Sequence, residues 1–250
     1  MLGIVPAGGR ASRLQPLGCS KELLPVGVRR DAQGTQRPRA VAGYLLERMA
    51  LAGADRAVMV IGPGKTDLIG YFGAGSAGLP LSYMVQPQPS GLCDALFCAA
   101  PFVQGAEPVL IGLPDTVWFP DNAFALAPRD CIHLITFPVA APEHFDAVIW
   151  DGPERVARIE VKTPGPRERR VWGAVTMPAG AYLDLWGLWR QRRKRDQFLG
   201  HLLNAWISAG GLVTASRTGT EYWDVGTVAG YRQALQRLAE PMPGEGQTAA

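Results

Sequence analysis

Along the first 140 residues, short apolar runs alternate with segments whose apolar positions recur at helical spacing. Residues 2–5 form an apolar, partly β-branched run that fits a strand buried on both faces, and Gly8-Gly9 marks the turn at its carboxyl end. An amphipathic pattern over about residues 40–52 predicts a helix, Gly53 a turn, and residues 57–61 a second buried strand. Further on, residues 81–86 predict a strand, 91–103 a helix, 108–115 an apolar strand ending in an acid, and 131–139 another strand. This alternation predicts an α/β fold with a mostly parallel sheet covered by helices on both faces.

From Phe145 the texture changes. The pieces AVIW, DGPERV, ARIEVKT and WGAVTMP are short and strand-like, separated by turns, and predict a mixed or antiparallel extension of the sheet suited to a substrate lobe. Residues 182–208 read as helix, LVTAS (212–216) as a strand, EYWDVGT (221–227) as a loop and AGYRQALQRLAE (229–240) as a final helix. Residues 241–250 are polar and rich in Pro and Gly, which predicts a flexible tail after one domain spanning 1–240.

Composition narrows the classes. At 250 residues and 47% hydrophobic content the chain can bury a full core, and a net charge of +3 gives little reason to invoke nucleic acid. Cys19, Cys93, Cys98 and Cys131 show neither CxxC nor zinc spacing, and read as free thiols of a reducing cytoplasm. With no secretory leader pattern and no apolar run near eighteen residues, the expectation is a cytoplasmic protein without a membrane partner. Lysine usage adds one signal: only Lys21, Lys65, Lys162 and Lys194 are lysines, in a chain otherwise dominated by arginine. A compact ammonium is kept where a broad guanidinium does not fit, or by chance, as fits Lys194 inside RQRRKR.

Candidate chemistry starts with GIVPAGGRASRLQPLGCSKELLPVG (3–27). Glycines at the end of a buried strand let backbone N–H groups approach phosphate oxygens, and Arg10, Arg13 and Lys21 add charge, so the stretch suits a polyphosphate; the alternative is a solvated cationic loop. GPGKTD (62–67) contains GKT, but a P-loop also needs a glycine at position 59, which is Met, so it reads as a strand-to-helix turn. RQRRKR (190–195) lacks interleaved aromatics and reads as a solvated helix face. Asp115 and Asp224 both follow strand-like runs, and a carboxylate pair at a sheet edge can hold Mg²⁺ against phosphate oxygens; each alone also fits a turn or capping acid.

Five ordered segments carry a family resemblance. GGRASRLQPLGCSKELLP resembles the G-G-x-G-T-R-L…K-x-L-L-P signature of sugar-1-phosphate nucleotidyltransferases, and VQPQPSGLCDAL (85–96) is similar to the base-recognition segment of the thymidylyltransferases among them. LPDT resembles the first metal aspartate site, ARIEVKTP the E-E-K-P sugar-phosphate segment, and YWDVGT the second metal site, the whole running from about residue 2 to 235. The resemblance implies a Rossmann-like fold with a nucleotide-binding part at about 1–140 and a small antiparallel sugar-binding extension at about 141–235. It implies catalytic Arg13 and Lys21, nucleotide contacts from Gly8, Gly9, Gln86 and Gly91, sugar-phosphate contacts from Glu160 and Lys162, and Mg²⁺ on Asp115 and Asp224. The implied partners are dTTP or UTP and a sugar 1-phosphate, most simply glucose 1-phosphate, with homo-oligomer formation left open. Other bases or sugars, a non-catalytic nucleotide-sugar-binding subunit, and a glycosyltransferase are the alternatives.

Two positions depart from the family pattern. Ala11 stands at the second glycine of the signature, and Asp146 at a glycine that would pass close to the sugar, where a carboxylate would hydrogen-bond a different sugar or repel the phosphate. The family's acidic G-E-x-E-x-T-D element reads KRDQFLGHL (194–202) here, which unsettles sugar identity. Ending soon after the last motif helix, the chain is expected to lack the helical tail that carries feedback control in relatives.

Overall fold

The structure, a computed structural model, describes residues 1–30, 33–105 and 107–239, so the tail expected at 241–250 lies outside the described residues. In chain order the elements are β1 (Leu2–Ala7), β2 (Pro25–Arg30), β3 (Gln36–Ala40), α1 (Val41–Leu51), β4 (Arg56–Ile61), α2 (Thr66–Phe72), β5 (Gly75–Ser76) and β6 (Leu79–Val85). There follow α3 (Leu92–Cys98), β7 (Pro108–Gly112), β8 (Thr116–Phe119), α4 (Ala123–Leu126), β9 (Ile132–Pro138), β10 (Asp146–Trp150) and β11 (Val156–Val161). The last are β12 (Arg170–Pro178), α5 (Ala179–Gln191), α6 (Leu199–Ser208), β13 (Val213–Ser216), β14 (Glu221–Asp224) and α7 (Val228–Arg237).

Ten strands make the main sheet, in the order β11-β10-β12-β7-β1-β4-β6-β5, with β9 along β12 and β13 outside β9. Its centre, β7-β1-β4-β6, is parallel, while β12 runs antiparallel to β7, β9 and β10. The expected mixed α/β sheet is therefore what forms. In β1, Leu2 and Ile4 enter one core while Val5 and Ala7 enter the other, as the two-residue period of a strand buried on both faces requires. Helices α3, α5 and α6 cover the first face and α1 and α2 the second. A third core joins β2, α1, β8 and α7, which ties the β8-β14 ribbon to the body.

Several expectations need correction, among them DGPERV, whose residues 151–154 form bends rather than a strand. Residues 182–208 are not one helix: α5 ends at Gln191 and α6 begins at Leu199. Between them Arg193 and Lys194 adopt φ of +56° and +57°, which no helix continues, and Arg192 pairs with Asp196 at 2.6 and 2.9 Å to close the turn. RQRRKR is thus a helix end rather than a helix face, with its charges near the carboxyl-terminal dipole. EYWDVGT is not loop throughout, since Glu221–Asp224 pairs with Thr116–Phe119 as an antiparallel ribbon. The apolar run at 108–115 ends as a strand at Gly112, leaving Asp115 in the turn that opens β8.

Candidate active site

The loops that leave the carboxyl ends of β1, β4, β6 and β7 all emerge on one edge of the parallel strands, the edge where open α/β sheets bind ligands. They border a cleft of about 680 Å³ lined by Gly8, Gly9, Arg10, Arg13, Lys21, Gln86, Gly91, Asp115, Lys162 and Asp224 among others. Nine of the ten residues to which the resemblance gives a role thus share one cleft, with Arg10 beside them. Glu160 does not join them. In the β10-β11 ladder it stands opposite Ala147, one position off the Asp146–Val161 pair, so the strand pleat turns it to the other face. There its carboxylate takes the Arg158 guanidinium and the Arg167 backbone N–H.

Asp115 and Asp224 meet through the β8-β14 ribbon. Asp224 is in register with Thr116, and the Val225 N–H donates to the Asp115 carbonyl at 2.8 Å, so pairing of the two strands brings the two carboxylates together. Gly226 lies beneath them: a Cβ there would stand 2.7 Å from Asp224 Oδ1 and 2.9 Å from Asp115 Oδ2. Lys21 Nζ donates to Asp115, and Arg13 reaches Asp224 Oδ2 at 3.3 Å. Burial works against charge on both acids. At Asp115 the Lys21 charge and hydrogen bond outweigh burial and hold the carboxyl below its usual value, whereas at Asp224 burial and the neighbouring Asp115 charge together push it up. Lys21, in turn, is lowered by burial but raised on balance by Asp115. Two hard oxygen donors that repel each other across a short gap suit a divalent cation. Among the described residues no cluster of three or more His, Cys, Asp and Glu side chains is placed to hold a metal.

The backbone on either side of Lys21 is clamped by the loop between β4 and α2. Lys65 Nζ donates to both oxygens of buried Glu22, at 2.7 and 2.8 Å, and Asp67 accepts from the Ser20 N–H at 2.6 Å and from its hydroxyl at 2.7 Å. GPGKTD is the turn expected of it, but its Lys and Asp also serve as anchors. No sequence signal linked residues 20–22 to residues 65–67, because pairs that distant have no periodicity.

Beside Gly8, Gln86 is 2% exposed and donates its Nε2–H to Asp94 Oδ2 at 2.6 Å, which leaves its Oε1 over Gly8. A Cβ on Gly8 would lie 2.0 Å from that oxygen, so this approach requires glycine. Gly91, at φ +110°, packs its Cα against Gln197, whose carbonyl accepts from the Leu92 and Cys93 N–H groups at 2.8 and 3.2 Å. Four aromatic residues also line the cleft, Phe145, Trp172, Phe198 and Tyr222, with Lys162 Nζ 4.3 Å above the Phe198 ring. Phe198 enters the site, and Gln197 packs on Gly91, because the helix breaks between α5 and α6, a break the sequence reading missed.

The family profile for nucleotidyl transferases matches residues 2–240. A glucose-1-phosphate thymidylyltransferase of Neisseria meningitidis is 30% identical over 176 residues, 67% of this chain and 57% of that protein. One from Mycolicibacterium smegmatis is 25% identical over 236 residues, 91% of this chain and 78% of that protein. In fold, a Bacillus anthracis chain named provisionally as a glucose-1-phosphate thymidylyltransferase and solved with sucrose superposes with a TM-score of 0.82 at 22% identity, covering 98% of both chains. With signature loop, aspartate pair and sheet edge in one cleft, and a profile that runs the length of the described fold, the chain belongs to the nucleotidyl transferase family.

Proposed function

We propose that the chain transfers a nucleotidyl group from dTTP or UTP to a sugar 1-phosphate, giving a nucleotide-sugar and pyrophosphate. The observation that carries the proposal is the convergence of Arg13, Lys21, Asp115 and Asp224 on a cleft that Gln86 and Lys162 also line. Gln86 supports the choice of base. With Nε2 engaged by Asp94, its Oε1 is an acceptor, and its complement is an imide N–H, which thymine and uracil carry and cytosine lacks.

In this reading an oxygen of the sugar phosphate attacks the α-phosphorus in line, and the bond from that phosphorus to the bridging β-oxygen breaks, with the electron pair leaving on pyrophosphate. The nucleophile is a phosphate monoester already ionised near neutral pH, so no strong general base is needed, and rate comes from positioning and charge compensation. Backbone N–H groups around Gly8 and Gly9, with Arg13 and Lys21, hold the triphosphate and offset charge growing on the leaving group. Lys162 holds the sugar phosphate and orients its oxygen. Asp115 and Asp224 would hold Mg²⁺, with water and phosphate oxygens completing its shell, and the ion would neutralise charge on the phosphates it touches.

Pyrophosphate release tests this, with Mg²⁺, glucose 1-phosphate and each of dTTP, UTP, CTP, GTP and ATP. The expected result is release with dTTP or UTP, none with CTP, and loss in Asp115→Ala. GTP is the control for the imide argument, because guanine also presents a ring N–H. Silence with every triphosphate and a range of sugar phosphates would refute the reading.

A further inference from the structure

Resting on that reading, we infer that Asp146 is a specificity-determining residue: it accepts a hydrogen bond from a donor on the sugar ring, a hydroxyl or an ammonium, and selects substrates that place one there. Asp146 begins β10 and is 8% exposed, yet lines the cleft together with Lys162, Trp172 and Phe198. Its Oδ2 accepts from the Trp172 indole N–H at 3.3 Å and presses on Gly200, where a Cβ would lie 3.0 Å away. Among the described residues no cation lies within 4 Å of it; Lys162 and His201 act on it only at longer range.

A carboxylate offers about four lone-pair directions, and the long indole contact together with the Gly200 backbone N–H leaves the others unused. Burying such a group costs free energy unless a partner arrives, so a carboxylate left short of partners on a cleft wall is built for a ligand donor. Its surroundings indicate which ligand. Phe145, Trp172, Phe198 and Tyr222 line the same cleft and offer apolar surface for the C–H groups of a pyranose, while Lys162 supplies the cation for its phosphate. Trp172 and Gly200 hold the carboxylate in place, so the acceptor is fixed before the sugar arrives. Gly200 comes from α6, which begins just after the chain break. Asp146 and the break therefore act on the same wall.

The test is a cycle between residue and ligand. Binding of glucose 1-phosphate, of its 2-, 3-, 4- and 6-deoxy analogues and of glucosamine 1-phosphate is measured by calorimetry for wild type, Asp146→Asn and Asp146→Ala. Wild type should lose about 10- to 100-fold in affinity for one deoxy analogue, and the Ala variant should show no such penalty at that position, the size expected for a hydrogen bond to a charged group. If the donor is a hydroxyl, Asp146→Asn retains part of the discrimination through its amide oxygen. If it is an ammonium, glucosamine 1-phosphate binds tightest to wild type and the Asn variant loses that preference. Equal penalties in wild type and Ala variant at every ring position would overturn the inference. A negative turnover assay alongside positive coupling would refute the transfer reaction alone, because calorimetry does not require turnover.

Discussion

Replacing Lys65 by Met leaves Glu22 as a carboxylate buried without its partner. Glu22 is 1% exposed at its side chain and Lys65 13%, with both carboxylate oxygens taken by one ammonium. Removing one member of a buried pair costs about 3–5 kcal/mol, a large share of the roughly 5–15 kcal/mol that holds a typical domain together. In a chain of this size each kcal/mol moves Tm by about 2–4 °C, so a fall of roughly 6–20 °C is expected. The pH dependence sets this loss apart from simple loss of packing. Burial already pushes Glu22 above its usual value against the opposing charge of Lys65, and losing Lys65 pushes it further. A carboxyl raised on folding contributes stability that is complete below its unfolded value and lost as pH rises through its folded value. The variant's deficit is therefore largest at pH 7–8 and shrinks toward pH 5. Urea unfolding followed by fluorescence of the seven tryptophans at pH 5 and pH 8 reads both quantities. Adding Glu22→Gln to Lys65→Met should recover most of the loss at pH 8. A deficit below about 1 kcal/mol, or one equal at the two pH values, would refute the reasoning.

Other outcomes follow from the same geometry. Ala11 holds φ of +54°, so Ala11→Gly should stabilise the chain by about 1 kcal/mol in urea unfolding; a decrease would show that its Cβ earns contacts worth more than the strain. Asp224 is raised by burial and by Asp115, so its ionisation opposes folding as pH rises; Asp224→Asn should raise Tm near pH 7 without metal, and if the proposed Mg²⁺ site is right, Mg²⁺ should raise Tm in wild type and not in the variant. Gly226→Ala places a Cβ within 3 Å of both carboxylates, so activity should fall by about 100-fold while circular dichroism stays unchanged; retained activity would place the reacting phosphates elsewhere.

The central sheet was legible because each of its parallel strands carries its own signal. β1, β4 and β7 are short apolar runs in which both residue parities are buried, a pattern that needs no knowledge of the partner strand. The β8-β14 ribbon was not legible: Thr116–Phe119 follows three residues after β7, and Glu221–Asp224 has only Val117 and its neighbours to say it is a strand. The same limit explains Glu160. A motif places residues along the chain, but which of two adjacent strand residues faces a cleft depends on register, and the pairing of Asp146 with Val161 turns Glu160 away.

The four lysines show how composition and structure divide the work. Their scarcity pointed to places where a compact ammonium is needed, and Lys21 and Lys162 line one cleft with Lys65 behind it on Glu22, while Lys194 sits in the turn after α5. Scarcity did not distinguish their tasks. Lys21 faces a carboxylate on the cleft wall and Lys162 rests over an aromatic ring, both lining the cleft, whereas Lys65 is spent on Glu22. That pair fixes the residue next to Lys21 just as Asp67 fixes the residue before it. Charge compensation at a phosphate improves with the precision of the cation's placement, since a group already in position pays no reorganisation when the leaving group departs. On the proposed reaction, a buried ion pair behind Lys21 serves position as well as stability, and the cost of losing Lys65 should appear in turnover as well as in unfolding.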